Sequence, residues 1–396
     1  MVTAMRILFT SRQGFGHFHP LVPLAQSARE GGHEVAFAMP PSFQGTVESL
    51  GFRWHAAGMD ESSPEYVRFI EERNRLPGRE RSRFMRRGAA SLLGPRMASD
   101  LIRISESWRP DVFVRDASDF GGYVAGEVLG IPHASHQAGT FKPSAFTLVA
   151  EPLDELRATH GLSPDPELRM LERYLVLSPF PPSLNGSHGL MCPTLHSYKP
   201  TPFDRSGQED APDWPLPVPG APLVYATLGT VVNTRTEILG AFVEALRDER
   251  VNLVVTVGRD GDPDQFGPQP PNVRIERYIP QSLLFPRCDL VISHGGSNTM
   301  LAALALGIPQ VMVPITADQP DNAERCEAAG VARVVPVAEV SAASIREAAL
   351  TILADASYRR AAERTRDEMA ALPGPDHVVT LLERLARDKA PITSPR

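Results

Sequence analysis

The sequence predicts an α/β protein of two doubly wound parallel-sheet domains, and three observations carry that prediction. Apolar runs of strand length alternate with stretches whose apolar residues recur at helical spacing, the pattern of a parallel sheet covered on both faces. The alternation stops in a proline-rich segment and then restarts. A chain of 396 residues also exceeds what one core usually organises.

The elements follow in order. Arg6 to Ser11 (RILFTS) reads as a buried strand, followed by the turn Gln13-Gly14-Phe15-Gly16-His17. A helix is expected from about Pro20 to Glu30, with Leu21, Leu24, Ala25 and Ala28 on one face and Gly31-Gly32 as its stop. Further strands are expected at His33 to Met39, Phe52 to His55, Asp111 to Arg115 and Ile131 to Ser135. Lys199 to Pro222 is dense in proline and polar residues without an apolar period, which is linker chemistry. The first domain is therefore placed at 1–205 and the linker at 206–222. Beyond it come strand Leu223 to Thr227, a helix near Thr236 to Asp248, and strands Asn252 to Val257, Val273 to Arg277, Asp289 to Ser293 and Gln310 to Val313, a second domain over 223–375. Val340 to Lys389, rich in Ala, Arg and Glu, reads as amphipathic helices, with 376–396 as a final helix free to cross back to the first domain. Two such domains would face a cleft with strand carboxyl ends on both sides.

Composition narrows the function. Forty Lys and Arg against 47 Asp and Glu give a formal charge of −7, which argues against nucleic acid or an anionic membrane as partner and for small molecules. Cys192, Cys288 and Cys326 are too few and too scattered for a disulfide framework or a zinc site. The start MVTAMRILFTS runs directly into a strand, and no segment approaches membrane-spanning length, so a soluble cytoplasmic protein is expected; a monomer or homodimer is assumed. The arginines between Arg68 and Arg109 read as a solvated helical face.

The most informative segment is Leu290 to Gln319: an apolar strand, a His294-Gly295-Gly296 turn, a helix, a second strand, then Asp318-Gln319. The glycines let the backbone turn and approach a ligand, and Ser297, Asn298 and Thr299 are cap-type residues at the helix start. Free N–H groups and the helix dipole there favour a phosphate.

With these pieces in place the chain resembles the nucleotide-sugar-dependent glycosyltransferases of the GT-B fold, especially the bacterial branch that glycosylates antibiotic aglycones. The likeness spans nearly the whole chain and rests on Gly16-His17-Phe18-His19-Pro20, Thr227-Leu228-Gly229-Thr230, Tyr278-Ile279-Pro280-Gln281, His294 to Thr299, and Asp318-Gln319. It implies an acceptor-binding first domain and a donor-binding second one. His294 and the backbone of Gly295, Gly296, Ser297, Asn298 and Thr299 would contact the diphosphate, with Gly229 and Thr230 on its other side. Tyr278, the Ile279 backbone and Gln281 would hold the nucleobase region, Tyr278 by stacking, although a strand-end core aromatic is an equal reading of that residue. Asp318 and Gln319 would bind the sugar hydroxyls. Relatives that use UDP-sugars commonly carry an acidic residue for the ribose eight positions beyond the motif histidine. Here that position is Ala302, which accepts no hydrogen bond, so a dTDP-sugar is the expected donor.

His17 is the candidate general base, since it follows the first strand and histidine is the side-chain type suited to general-base work near neutral pH. Asp116, at the family's position for such an aspartate, is its expected partner, with Asp119 in reserve and His19 as the rival base. Direct displacement with inversion follows from the lack of a second nucleophilic carboxylate, and the resemblance implies the same. No cofactor beyond the dTDP-sugar co-substrate and no metal are expected. Asp260, Asp262 and Asp264 offer a Mg²⁺ reading, but Gly, Pro and Asp also make an ordinary turn. Gly14-Phe15-Gly16 begins like a dinucleotide fingerprint yet lacks its third glycine and its acidic strand end, against an oxidoreductase. A UDP-sugar transferase, a sugar-nucleotide epimerase and a non-catalytic helper are the remaining alternatives.

Overall fold

The computed structural model describes residues 4–139, 147–185, 191–204, 216–229, 235–259 and 261–394. The chain divides into two compact units, one running to Thr201 and resuming at Leu372, the other from Pro202 to Ala371.

The first unit holds a seven-stranded parallel sheet: β1 Arg6–Thr10, β2 Glu34–Met39, β3 Arg53–Ala56, β4 Val112–Asp116, β5 His133–His136, β6 Leu175–Ser178 and β7 Leu195–Ser197, in the order β3-β2-β1-β4-β5-β6-β7. Helices cover both faces, so central strands are buried on either side: Ile7, Leu8 and Phe9 of β1 are fully buried, as are Val112, Phe113 and Val114 of β4. The final helix, Pro375–Asp388, lies against helix Val22–Glu30. It is pinned there by Glu383 Oε1 at 3.2 Å from His33 Nε2. Beyond it the main chain of Ile392 donates to Tyr174 O at 2.8 Å.

The second unit holds six parallel strands: β8 Leu223–Thr227, β9 Asn252–Thr256, β10 Val273–Glu276, β11 Leu290–Ser293, β12 Gln310–Met312 and β13 Ala332–Val334, in the order β10-β9-β8-β11-β12-β13. Its core packs Val224, Ala226, Leu253, Val255 and Ile292 against Leu239, Phe242, Ile345 and Ala349 of the covering helices. The amphipathic tail resolves into helices Ala342–Ala354, Ala356–Ala371 and Pro375–Asp388.

Sequence reading missed β6, β7 and β13, each only three or four residues long. Runs such as LVLS and ARV are too short for a period to emerge. The second strand order mirrors the first, and both place a topological switch point in mid-sheet, between β1 and β4 and between β8 and β11.

Candidate active site

In an open parallel sheet a ligand crevice lies outside the strand carboxyl ends where the winding reverses. In the first unit β1 and β4 pair with Thr10 opposite Arg115, so the residues that follow them share that position. Helix Phe15–Phe18, just after β1, carries His17, and Asp116 is the last residue of β4 itself. His17 Nδ1 stands 2.9 Å from Asp116 Oδ2. The aspartate is buried and the histidine side chain is 20% exposed, so the ring alone reaches solvent.

The other oxygen of Asp116 accepts from Ser118 N at 2.9 Å and from the Ser118 hydroxyl. Burial by itself would raise this carboxyl, but His17, Arg12 and Ser118 outweigh it and hold it ionised, well below the usual carboxylate range. The Arg12 guanidinium touches His17 Nε2 and donates through Nε to Ser118 Oγ at 2.8 Å. Guanidinium has only donors, so Nε2 must accept, and the ring proton sits on Nδ1 facing Asp116. That is the tautomer a base at Nε2 requires. Sequence reading missed Arg12, although its place beside the glycine-containing turn was a signal.

The two alternatives have other work. Asp119 caps helix Phe120–Leu129 by accepting from Gly122 N at 3.0 Å and also takes the Thr10 hydroxyl. His19 lies in the short helix His19–Leu21, with its ring tilted against Phe15 and Phe18.

In the second unit Thr227 pairs with Ser293, so Gly229 and His294 stand just past adjacent strand ends. His294 is buried, and its ring lies between two glycines. A Cβ on Gly229 would meet His294 Cε1 at 2.6 Å, and one on Gly296 would meet Nε2 at 2.5 Å. Gly229 also holds φ +68°, a left-handed value that disfavours other residues. Its N–H donates to Thr227 Oγ1 at 3.2 Å, and Thr256 and Tyr225 extend that hydroxyl chain. Burial pushes the His294 imidazole down to about 4 despite Asp318 nearby, so it is neutral at pH 7. His294 Nδ1 has no hydrogen-bond partner among the described residues. A backbone cradle around a neutral imidazole fits a diphosphate oxygen bound through N–H donors.

Helix Ser297–Leu304 begins with Gly296 as its cap and no side-chain capping bond. Ser297, Asn298 and Thr299 start this helix as expected, forming its first turn behind the Gly296 cap. Ser297 Oγ turns to Asp318 Oδ2 at 2.6 Å, and Thr299 Oγ1 accepts from Gln281 Nε2 at 3.0 Å. Asn298 is exposed. Asp318 Oδ2 also accepts from Asn322 Nδ2 at 2.7 Å. Gln319 is 4% exposed, and its Oε1 accepts from the backbone of Ile315 and Thr316, each at 2.9 Å, which leaves only its NH₂ group for a sugar. Asn322, fully buried, further donates to Gly295 O and Ser297 Oγ, both at 3.0 Å, and so ties the glycine turn to Asp318. Its position four residues after Asp318 was the available signal.

Tyr278 is half-buried; its hydroxyl donates to Asp204 O, and the Arg259 guanidinium lies 3.8 Å from its ring centroid. It is neither a core residue nor a bare stacking platform. Asp204 in turn caps helix Gln281–Leu284 through Ser282 N and Oγ, each at 2.8 Å. Nothing in the proline-rich stretch announced that role. The Ile279 side chain is in the core, which leaves its backbone for a ligand. Ala302 packs in the same core cluster. Thr230 and Asp260 lie outside the described residues. Asp262 caps the turn Pro263–Phe266 by accepting from Asp264 N at 3.1 Å. No group of metal-binding side chains occurs among the described residues. No helix there is long and apolar enough to cross a membrane.

Comparison with known proteins agrees in kind. Residues 242–385 match a family model described as erythromycin biosynthesis protein CIII-like, C-terminal domain. The chain is 30% identical to the 10-deoxymethynolide desosaminyltransferase of Streptomyces venezuelae, over 96% of this chain and 97% of that one. It is 31% identical to the L-demethylnoviosyl transferase of Streptomyces niveus, over 98% and 100%. Among solved structures it is similar to spinosyn rhamnosyltransferase SpnG complexed with thymidine diphosphate, at 29% identity and TM-score 0.78, covering 96% of this chain and 100% of that one.

Proposed function

This chain belongs to the GT-B glycosyltransferases of antibiotic and natural-product biosynthesis, and on that premise we propose that it is an inverting, metal-independent enzyme moving a deoxysugar from a dTDP-sugar to a hydroxyl of a hydrophobic aglycone. The observation that carries this reading is the His17–Asp116 pair at the switch point of the first unit. A non-catalytic helper has no use for a buried, ionised aspartate orienting a solvent-reaching imidazole.

In this mechanism His17 Nε2 takes the proton of the acceptor hydroxyl while Asp116 steadies the imidazolium, a contribution of about 10² to 10⁴ in rate. The oxygen attacks the anomeric carbon from the face opposite the diphosphate. The departing charge is met by His294 and the N–H groups at the start of helix Ser297–Leu304, where a single well-aimed donor is worth about 3 to 4 kcal/mol. Asp116, which contacts His17, and Asp119, three residues on, are both buried and engaged, which favours direct displacement over a covalent intermediate. A thymidine diphosphate complex of a similar enzyme and the apolar Ala302 both favour dTDP over UDP.

A thermal-shift series with TDP, UDP, GDP and NAD tests the donor, since a ligand of the folded form raises Tm. The largest shift should come from TDP, and a larger one from UDP refutes the donor assignment. Turnover in excess chelator and the anomeric configuration of the product test the remaining terms. Turnover that needs no acceptor would instead identify an epimerase.

A further inference from the structure

The base is already occupied. Arg12 rests its guanidinium on Nε2 of His17, the one lone pair the proposed reaction needs. Arg12 also lines a shallow, open recess within the first unit. Met59, Leu93, Met97 and Phe120 supply its apolar wall, and Gln13 and Ser118 stand beside Arg12. Gln13 is 5% exposed, yet its Nε2 has no hydrogen-bond partner among the described residues. Arg73, itself near Arg81, lies within electrostatic reach of Arg12. The local carboxylates are consumed internally: Asp116 by His17 and Ser118, Asp119 by Thr10 and Gly122. The recess therefore presents an apolar wall, a cation and a spare amide donor, with Asp119, which also lines it, held by Thr10 and Gly122.

We propose that Arg12 reads the acceptor, and that, on the glycosyl-transfer reading above with the acceptor held by this unit, its reacting group is an acidic hydroxyl, a phenol or an enolised carbonyl, rather than an alkanol. An oxygen that bears or develops negative charge forms a charge-assisted hydrogen bond with guanidinium, stronger than the one Arg12 makes to a neutral ring nitrogen. Such an acceptor draws Arg12 off Nε2 and uncovers the base as it binds. The acceptor O–H bond then breaks with its proton passing to Nε2. The oxygen's electron pair forms the bond to the anomeric carbon, and the bond from that carbon to the diphosphate oxygen breaks with its pair leaving on the diphosphate. A phenol is about as acidic as the tyrosine side chain, ~10, whereas an alkanol offers Arg12 no comparable charge and leaves it on His17. The Gln13 amide would serve a second oxygen on the same ring system.

The test is the equilibrium binding of 2-naphthol and 2-naphthalenemethanol, a phenol and an alcohol on one apolar frame, to the full-length protein without donor. The parent should bind the phenol about tenfold or more tightly, Arg12→Gln should erase that preference, and Arg12→Lys should keep part of it. His17→Ala should retain the preference, because binding needs no base, so failure of the glycosyl-transfer reading would show in turnover and not here. Circular dichroism confirms that each variant is folded. Equal affinities in the parent, an unchanged preference in Arg12→Gln, or no binding of either probe at millimolar concentration would overturn the proposal.

Discussion

The imidazole of His294 fills the space that a side chain at Gly229 would need: a Cβ there would come within 2.6 Å of Cε1. Gly229→Ala must therefore displace the ring and also hold alanine at a left-handed φ, which costs about 1 to 2 kcal/mol. We expect TDP affinity to fall about tenfold or more in Gly229→Ala with the fold retained. Calorimetric titration that finds parental affinity would remove His294 from the diphosphate site.

His17→Ala should lower kcat by about 10² to 10⁴ and leave TDP affinity as it is. Asp116→Asn should produce a comparable loss, because an amide can hold the imidazole in the wrong tautomer. If Asp116→Asn retains full kcat while His17→Ala does not, the aspartate is only a structural neighbour.

Asn322 joins the glycine turn to Asp318, and its removal leaves buried groups unmatched. Asn322→Ala should cost about 1 to 3 kcal/mol in urea unfolding. Asn322→Asp should do worse, since it sets a second carboxylate against Asp318. Equal stability of the parent and both variants contradicts this account.

Burial holds the imidazoles of His133, His136 and His294 at about 4, against 6.5 for the unperturbed group. Between those values the unfolded chain binds more protons than the folded one, so stability falls as pH drops from about 6.5 towards 4. Asp116, whose folded value is depressed, adds its loss only once the pH falls below the ordinary carboxylate range. Urea midpoints at pH 7, 5.5 and 4.5 should decline in that order, and a flat series would falsify the burial argument.

Legibility in the sequence tracked the range of the interaction involved. β1 and β8 were readable because ILF and LVYA are continuous apolar runs within them, whereas β7 and β13 owe their strand geometry to pairing with β6 and β12. The His294 turn was readable because its glycines and the helix after it lie within a few residues. Residue type did not reveal side-chain partners: Ser297 Oγ bonds Asp318, Thr299 Oγ1 bonds Gln281, and Gln319 Oε1 accepts from the 315–316 backbone. A residue's type states what it can bond, but its surroundings choose the partner.

By itself the sequence determined the two α/β units, the phosphate turn after β11, and the histidine after β1, because hydrophobic period, turn chemistry and helix-terminal donors are properties of short stretches of chain. Only the tertiary structure brought Asp116 to His17 across 99 residues, set Arg12 on the base, wrapped Gly229 and Gly296 around His294 and returned the last helix to the first unit. Those relations depend on strand order and on which side chains share a buried space, and both are decided by the packing of the whole sheet rather than by any local run of residues.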